Sequence, residues 1–223
     1  MICYAISDIH GSISAFEEAL ELVLDKLENP DTKLILLGDY IHGYEDNYAV
    51  LEKIMTLQYQ YGTEKIIALI GNHEEMVCNG NWSINGYGFS DEKDDKYINW
   101  ISKLPRYYTA GKTIFVHAGI TEEAGEYWEY ETDDFTFTEK YPAETGFFCE
   151  NYKIVAGHVG TSEISGDFGF HGIYYDGQSH YYIDSTVLES GFLNVLKVDI
   201  ENQKYYEVTA YGDVLIIPYE KEY

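Results

Sequence analysis

The sequence predicts an α/β protein whose N-terminal half is a parallel βαβαβ unit and whose remainder adds antiparallel strands. Three short apolar runs, Ile2 to Ile6, Leu34 to Leu37 and Lys65 to Ile70, lead into the polar loops Ser7-Asp8-Ile9-His10-Gly11, Gly38-Asp39 and Gly71-Asn72-His73-Glu74. Asp39 follows Asp8 by 31 positions and Asn72 follows Asp39 by 33. A βαβ unit occupies about 30 residues, so the three loops are expected side by side on one edge of a parallel sheet. From Gly172 onward the pattern changes to short strands and turns, which predicts a second sheet from the C-terminal third and a β-sandwich flanked by helices.

Taken in order, Ser14 is a candidate cap for a helix carrying Phe16, Ala19, Leu20, Leu22, Val23 and Leu27 at helical spacing, ended by Asn29-Pro30. The run Leu34 to Leu37 is a buried strand broken by Gly38, which delivers Asp39 at its carboxyl end, where open α/β sheets place their ligands. A second amphipathic helix, Asn47 to Tyr61, stops near Gly62. Gly80 to Asp95 is polar and reads as an exposed loop, followed by a helix from Asp94 to Lys103. Thr113 to Val116 is a strand delivering His117, and Lys153 to Ala156 a strand presenting Gly157-His158. Between them, Thr121 to Asn151 is acidic and aromatic, read as cover over the sheet or as a lid facing substrate. Asp176-Gly177 signals a hairpin, and Phe192 to Ile200 pairs with Lys204 to Thr209.

The bulk properties narrow the function. At 223 residues, one domain spanning 1–223 is expected. A net charge of -25, with Arg106 as the one arginine, argues against nucleic acid and anionic membrane as partners. Cys3, Cys78 and Cys149 are scattered and odd in number, as in a reducing compartment. The N-terminus lacks a basic segment before its apolar residues, and no apolar run approaches the ~20 residues of a spanning helix, so a cytoplasmic protein is expected.

The loop residues form a ligand set for divalent cations: carboxylates, an amide oxygen and imidazoles. Asp8 and His10 offer two ligands on one loop, Asp39 can bridge two ions, and Asn72, His117 and His158 complete a second. Two ions so bridged activate water for attack on phosphorus, and His73, beside a ligand, is the candidate proton donor to the leaving oxygen. His171 and His180 fall outside this arrangement.

Ser-Asp-Ile-His-Gly at 7–11, Gly-Asp-Tyr-Ile at 38–41, Gly-Asn-His-Glu at 71–74, Phe-Val-His-Ala-Gly at 115–119, Gly157-His158 and the segment around Ile183-Asp184-Ser185-Thr186 together resemble the calcineurin-like metallophosphoesterase superfamily, in its serine/threonine phosphoprotein phosphatase branch. The resemblance implies a four-layer α/β/β/α sandwich. It also implies a first metal on Asp8, His10 and Asp39, a second on Asp39, Asn72, His117 and His158, and His73 as general acid. Manganese is the metal expected foremost, with iron or zinc as alternatives. The expected activity is hydrolysis of phosphomonoesters, small or on phosphoproteins. Dinucleoside polyphosphate or other nucleotide hydrolysis is a second reading, and a weakly catalytic metal-binding interaction module a third.

Two positions depart from the family pattern. His42 stands where a carboxylate usually pairs with the catalytic histidine, and Gly43 where a phosphate-gripping arginine belongs. Arg106, Lys112 and Lys140 are the candidates to replace that arginine. His42 is expected either to turn inward near the first metal or to face solvent.

Overall fold

A computed structural model of the chain describes residues 1–80, 82–90 and 92–221. It begins with β1 (Ile2–Ile6), α1 (Ile13–Glu21), β2 (Thr32–Leu36), α2 (Asn47–Tyr61) and β3 (Ile66–Ala68). The three strands pair in parallel, Ile6 against Leu36 and Leu36 against Ala68, so their carboxyl ends open on one edge as the motif spacing requires.

Both ends of α2 fall where the sequence places them because local chemistry sets them. Asp46 accepts from the Ala49 N–H at 3.0 Å, and Gly62 leaves the helix at φ 89°. The first helix differs from expectation at both ends. Ser14 lies inside α1 and is not its cap; its N–H is satisfied by the Glu45 carboxylate at 3.0 Å, a partner 31 positions away. The helix stops at Glu21, and Leu24–Glu28 form a separate 3₁₀ turn before Asn29.

Next come α3 (Asn72–Cys78), β4 (Trp82–Ser83), β5 (Gly86–Tyr87) and α4 (Asp95–Ile101). The stretch Gly80 to Asp95, expected as an exposed loop, contains the β4–β5 hairpin with Ile84 fully buried; Asn81 and Asp91 lie outside the described residues. The chain then runs through β6 (Tyr107–Ala110), β7 (Thr113–Val116), α5 (Trp128–Glu131), α6 (Asp134–Glu139), β8 (Lys153–Ala156), α7 (Thr161–Ser165), β9 (Tyr174–Tyr175), β10 (His180–Tyr182), α8 (Val187–Ser190), β11 (Leu196–Asp199), β12 (Lys204–Thr209) and β13 (Gly212–Leu215).

Two main sheets result, ordered β13-β12-β11-β1-β2-β3 and β6-β7-β8-β10-β9. The C-terminal third is therefore not a sheet of its own. The strands β11 to β13 extend the first sheet through antiparallel pairing of β11 with β1, while β9 and β10 close the second. Strand patterning reveals pairing partners only where a tight turn joins them, and the β11–β1 partnership spans nearly the whole chain.

Three apolar clusters separate four layers. The alternate faces of β1 and β2 divide their residues: Tyr4, Ile6, Leu34 and Leu36 pack under α1 and α2, while Cys3, Ala5, Ile35 and Leu37 meet Phe115, Val155 and Tyr181 of the second sheet. The outer face of that sheet, with Ile114, Val116 and Ile154, is covered by Trp128, Phe137 and Phe148. The aromatic segment is thus partly cover, but Tyr130, Phe135, Tyr141 and Phe147 face solvent.

Candidate metal centre

The loops at the strand ends meet because glycines allow it. A Cβ on Gly38 would lie 2.6 Å from the Gly71 nitrogen and 2.7 Å from its Cα, and one on Gly71 would lie 2.3 Å from Asp39 Oδ1. Glu74, completely buried on the first turn of α3, binds the two loops together. Its carboxylate accepts from the N–H groups of Asp39 and Tyr40 at 2.8 Å each and of Gly71 at 3.0 Å. Burial, then the Asp39 charge, push its pKa up against those three donors. Sequence reasoning assigned Glu74 no role; its place at the end of Gly-Asn-His-Glu was the available signal.

Five of the converging residues adopt left-handed backbone without being glycine: Asp8 (φ 54°), His10 (45°), Asp39 (55°), His42 (70°) and His158 (64°). Such conformations cost about 1 to 3 kcal/mol each and persist where the surroundings over-determine them. Here they lie in the loops that follow β1, β2 and β8.

At the centre, Asp39 is shared between two trios. His10, Asp39 and His73 have ligand atoms within 4.8 Å of one another, and so do Asp39, His117 and His158. The individual approaches to Asp39 are 3.8 Å from His10 Nε2, 3.8 Å from His73 Nε2 and 3.5 Å from His117 Nε2. Asn72 Oδ1 lies 3.0 Å from His117 Nε2, which brings the amide into the second trio. Asp8 lies outside both trios. Its carboxylate accepts from the His158 N–H at 3.1 Å and from the Ser7 hydroxyl, and burial followed by the charges of Asp184 and Asp39 raises its pKa well above the usual range.

Backbone carbonyls decide which imidazole nitrogen faces the centre. His117 Nδ1 sits 3.0 Å from the Leu37 carbonyl and His10 Nδ1 3.1 Å from that of Ile41. A carbonyl only accepts, so both Nδ1 atoms carry hydrogen and both Nε2 atoms present lone pairs to Asp39. Burial holds His117 down to about 4 despite Asp39, so it is a neutral ring at pH 7. Burial alone would raise Asp39, but in acid, where these rings are protonated, the charges of His117, His73 and His10 outweigh it and hold the carboxyl at about 2.

The donor set fits a cation. With Asn72 Oδ1 inward, its lone pairs and those of His117 Nε2 and Asp39 converge with no hydrogen between them. Turned over, the Asn72 amide would donate to His117 Nε2, His158 Nδ1 and Asp39 at 3.0 to 3.2 Å. The pocket therefore calls for positive charge, from an amide N–H or from a metal ion. Asp184, unassigned from sequence, lies within electrostatic reach of His10 and Asp39; burial, its largest influence, raises its carboxyl to about 6.

The expected substrate-gripping cations are engaged elsewhere. Arg106 pairs with Glu75 and Asp134, each at 2.6 Å. Lys112 lies over the Tyr152 ring at 4.0 Å, and Lys140 binds Glu144 and the Ile120 carbonyl. A side chain at Gly43 is excluded, since its Cβ would fall 1.3 Å from the His10 carbonyl oxygen. His42 turns inward: its Nδ1 is 2.9 Å from His73 Nδ1 and its Nε2 2.9 Å from the Ser83 carbonyl.

Comparison with known proteins agrees with this architecture. Residues 1–200 match the family model described as calcineurin-like phosphoesterase. The chain is 28% identical over 160 residues to the symmetrical bis(5'-nucleosyl)-tetraphosphatase of Wigglesworthia glossinidia brevipalpis, over 67% of this chain and 54% of that protein, so it spans about half the length of this curated relative. Among solved structures, the cold-active protein-tyrosine phosphatase of a psychrophilic Shewanella species superposes with a TM-score of 0.65 at 16% identity, covering 97% of this chain and 80% of that one. A putative diadenosine tetraphosphatase gives 0.58, also at 16% identity, over 99% and 95%. At such identity these two likenesses speak for the fold, and the model match over most of the chain carries the assignment: the chain belongs to the calcineurin-like phosphoesterase family.

Proposed function

We propose that the protein hydrolyses phosphomonoesters at two divalent cations, the first held by Asp8, His10 and Asp39 and the second by Asp39, Asn72, His117 and His158. The observation that carries this is the place of Asp39 between two clusters, with His10 and His73 on one side and His117 and His158 on the other, and with the Nε2 lone pairs of His10 and His117 turned toward it. Divalent ions bound there would polarise a phosphoryl oxygen and make water acidic enough to attack near neutral pH. Manganese suits this mix of carboxylate, amide and imidazole, as iron or zinc would.

The chain's own residues divide the remaining work by exposure. His117 is fully buried and serves to hold, whereas the His73 side chain is 26% exposed with Nε2 on the Asp39 side, where a leaving oxygen can reach it. His73 is accordingly assigned as the proton donor. With Arg106, Lys112 and Lys140 engaged elsewhere, phosphate affinity rests on the metals.

Replacing His73→Asn tests the reading. Turnover of an alkyl phosphomonoester with Mn²⁺ should fall by about 10² to 10⁴, while Mn²⁺ affinity measured by calorimetry stays within a few-fold. Full turnover in that variant rejects the acid role. A second reading, cleavage of a dinucleoside polyphosphate, draws support from the likeness to the symmetrical tetraphosphatase. A nucleotide panel with product analysis separates the two.

A further inference from the structure

His42 replaces a carboxylate with an imidazole at the position that orients the proposed acid, and its contacts fix how an imidazole does this. Its Nε2 lies 2.9 Å from the Ser83 carbonyl, which has no proton to give, so Nε2 carries the hydrogen. The neutral His42 ring then has only a lone pair at Nδ1. That atom is 2.9 Å from His73 Nδ1, a separation that needs one proton between the nitrogens, and the proton must belong to His73. Neutral His73 is left with its lone pair on Nε2, the atom 3.8 Å from Asp39 Oδ2.

We infer that His42 is a positioning residue that locks one hydrogen of His73 on Nδ1, through a relay running from the Ser83 carbonyl to His42 to His73, so that Nε2 is the nitrogen that, when protonated, hands its proton to the leaving oxygen. The anchor is the β4–β5 hairpin, where the Ser83 hydroxyl donates to the Gly86 carbonyl at 3.1 Å and Ile84 is buried. Trp82, whose ring centroid is 5.0 Å from that of His42, walls the relay on one side, and His10, 4.8 Å from His73, on the other. A carboxylate here would both orient His73 and attract charge onto it. A neutral imidazole supplies orientation with far less of the attraction, so the relay sets direction more than acid strength.

The activity half of this inference rests on the phosphoesterase reading; the tautomer half does not. Nitrogen NMR on the full chain, labelled at histidine and loaded with diamagnetic Mg²⁺ at pH 8, should show His73 protonated at Nδ1 and bare at Nε2, with His42 the reverse. His42→Ala should give mixed tautomers at His73. His42→Asn should restore the Nδ1–H form, because its Oδ1 lies near the lost acceptor and asparagine tolerates the left-handed backbone. In kinetics, kcat for an alkyl phosphomonoester should fall by about tenfold or more in His42→Ala with KM nearly unchanged. p-Nitrophenyl phosphate, whose leaving group needs no acid, should change little, and His42→Asn should recover most of the loss. A neutral His73 with its single hydrogen on Nε2 and none on Nδ1 in the unmutated chain overturns the inference, as does an equal loss on both esters. The expected tautomers without turnover of any phosphate ester would uphold the relay and reject the hydrolase reading instead.

Discussion

His180, outside the metal centre, is the place where pH should control stability. Its side chain is 1% exposed, with Nδ1 2.9 Å from Asp176 Oδ2 and Nε2 2.9 Å from Glu122 Oε1. Both nitrogens therefore donate, and the ring is an imidazolium. Burial alone would lower its pKa, but the two carboxylates outweigh that and hold it at about 9. The other groups at hand are Tyr182, stacked on the ring at 6.1 Å, and Lys140, 3.9 Å from Glu122 and paired with Glu144. An unfolded histidine titrates near ~6.5, so the contribution is fully present below that pH and is lost as pH rises through about 9. A raise of this size corresponds to about 3 kcal/mol, or on the order of 10 °C in Tm for a chain of this length. Urea unfolding followed by tryptophan fluorescence at intervals from pH 6 to 9.5 measures the slope. His180→Gln should abolish the part of the slope specific to this interval and lower stability at pH 6 by about 3 kcal/mol or more, because two buried carboxylates lose their cation. Parallel decline of both proteins between pH 6.5 and 9 would refute the reasoning.

Other perturbations test the His180 pair from its acid side and then the centre's construction. Asp176, which burial would raise but which His180 and the Gly146, Gln178 and His180 N–H groups hold at about 2, should contribute stability above pH ~4 that is lost as pH falls through 2, visible as late acid unfolding by circular dichroism. Glu74→Gln offers one acceptor oxygen to three N–H donors, so it should lower stability by about 2 to 4 kcal/mol and weaken Mn²⁺ binding by at least about tenfold in calorimetry. Gly38→Ala drives a methyl into the Gly71 backbone at φ 108°, and urea unfolding should show a loss of about 3 kcal/mol or more. Gly43→Arg should not restore a phosphate grip; with the Cβ site 1.3 Å from the His10 carbonyl, it should reduce soluble yield or metal affinity instead.

The sequence by itself determined the N-terminal architecture and singled out His10, Asp39, His73, His117 and His158, whose ligand atoms the structure brings together. Helix α2, β7 and β8 lie at their predicted bounds, and the spacing of Asp8, Asp39 and Asn72 is enough to align three loops on one edge, because a βαβ unit takes about 30 residues and crosses over with a fixed hand. Tertiary structure decided what depends on partners remote in sequence. The cap of α1 comes from Glu45, the neighbour of β1 is β11, and His180 acquires two carboxylates, Glu122 being 58 positions away. It also decided direction: left-handed backbone at His42 turns the ring onto His73, and the Leu37, Ile41 and Ser83 carbonyls select which nitrogen of each imidazole bears hydrogen. Residue type announces that an imidazole can hold a metal or a proton, but only the acceptor behind it settles which atom does so.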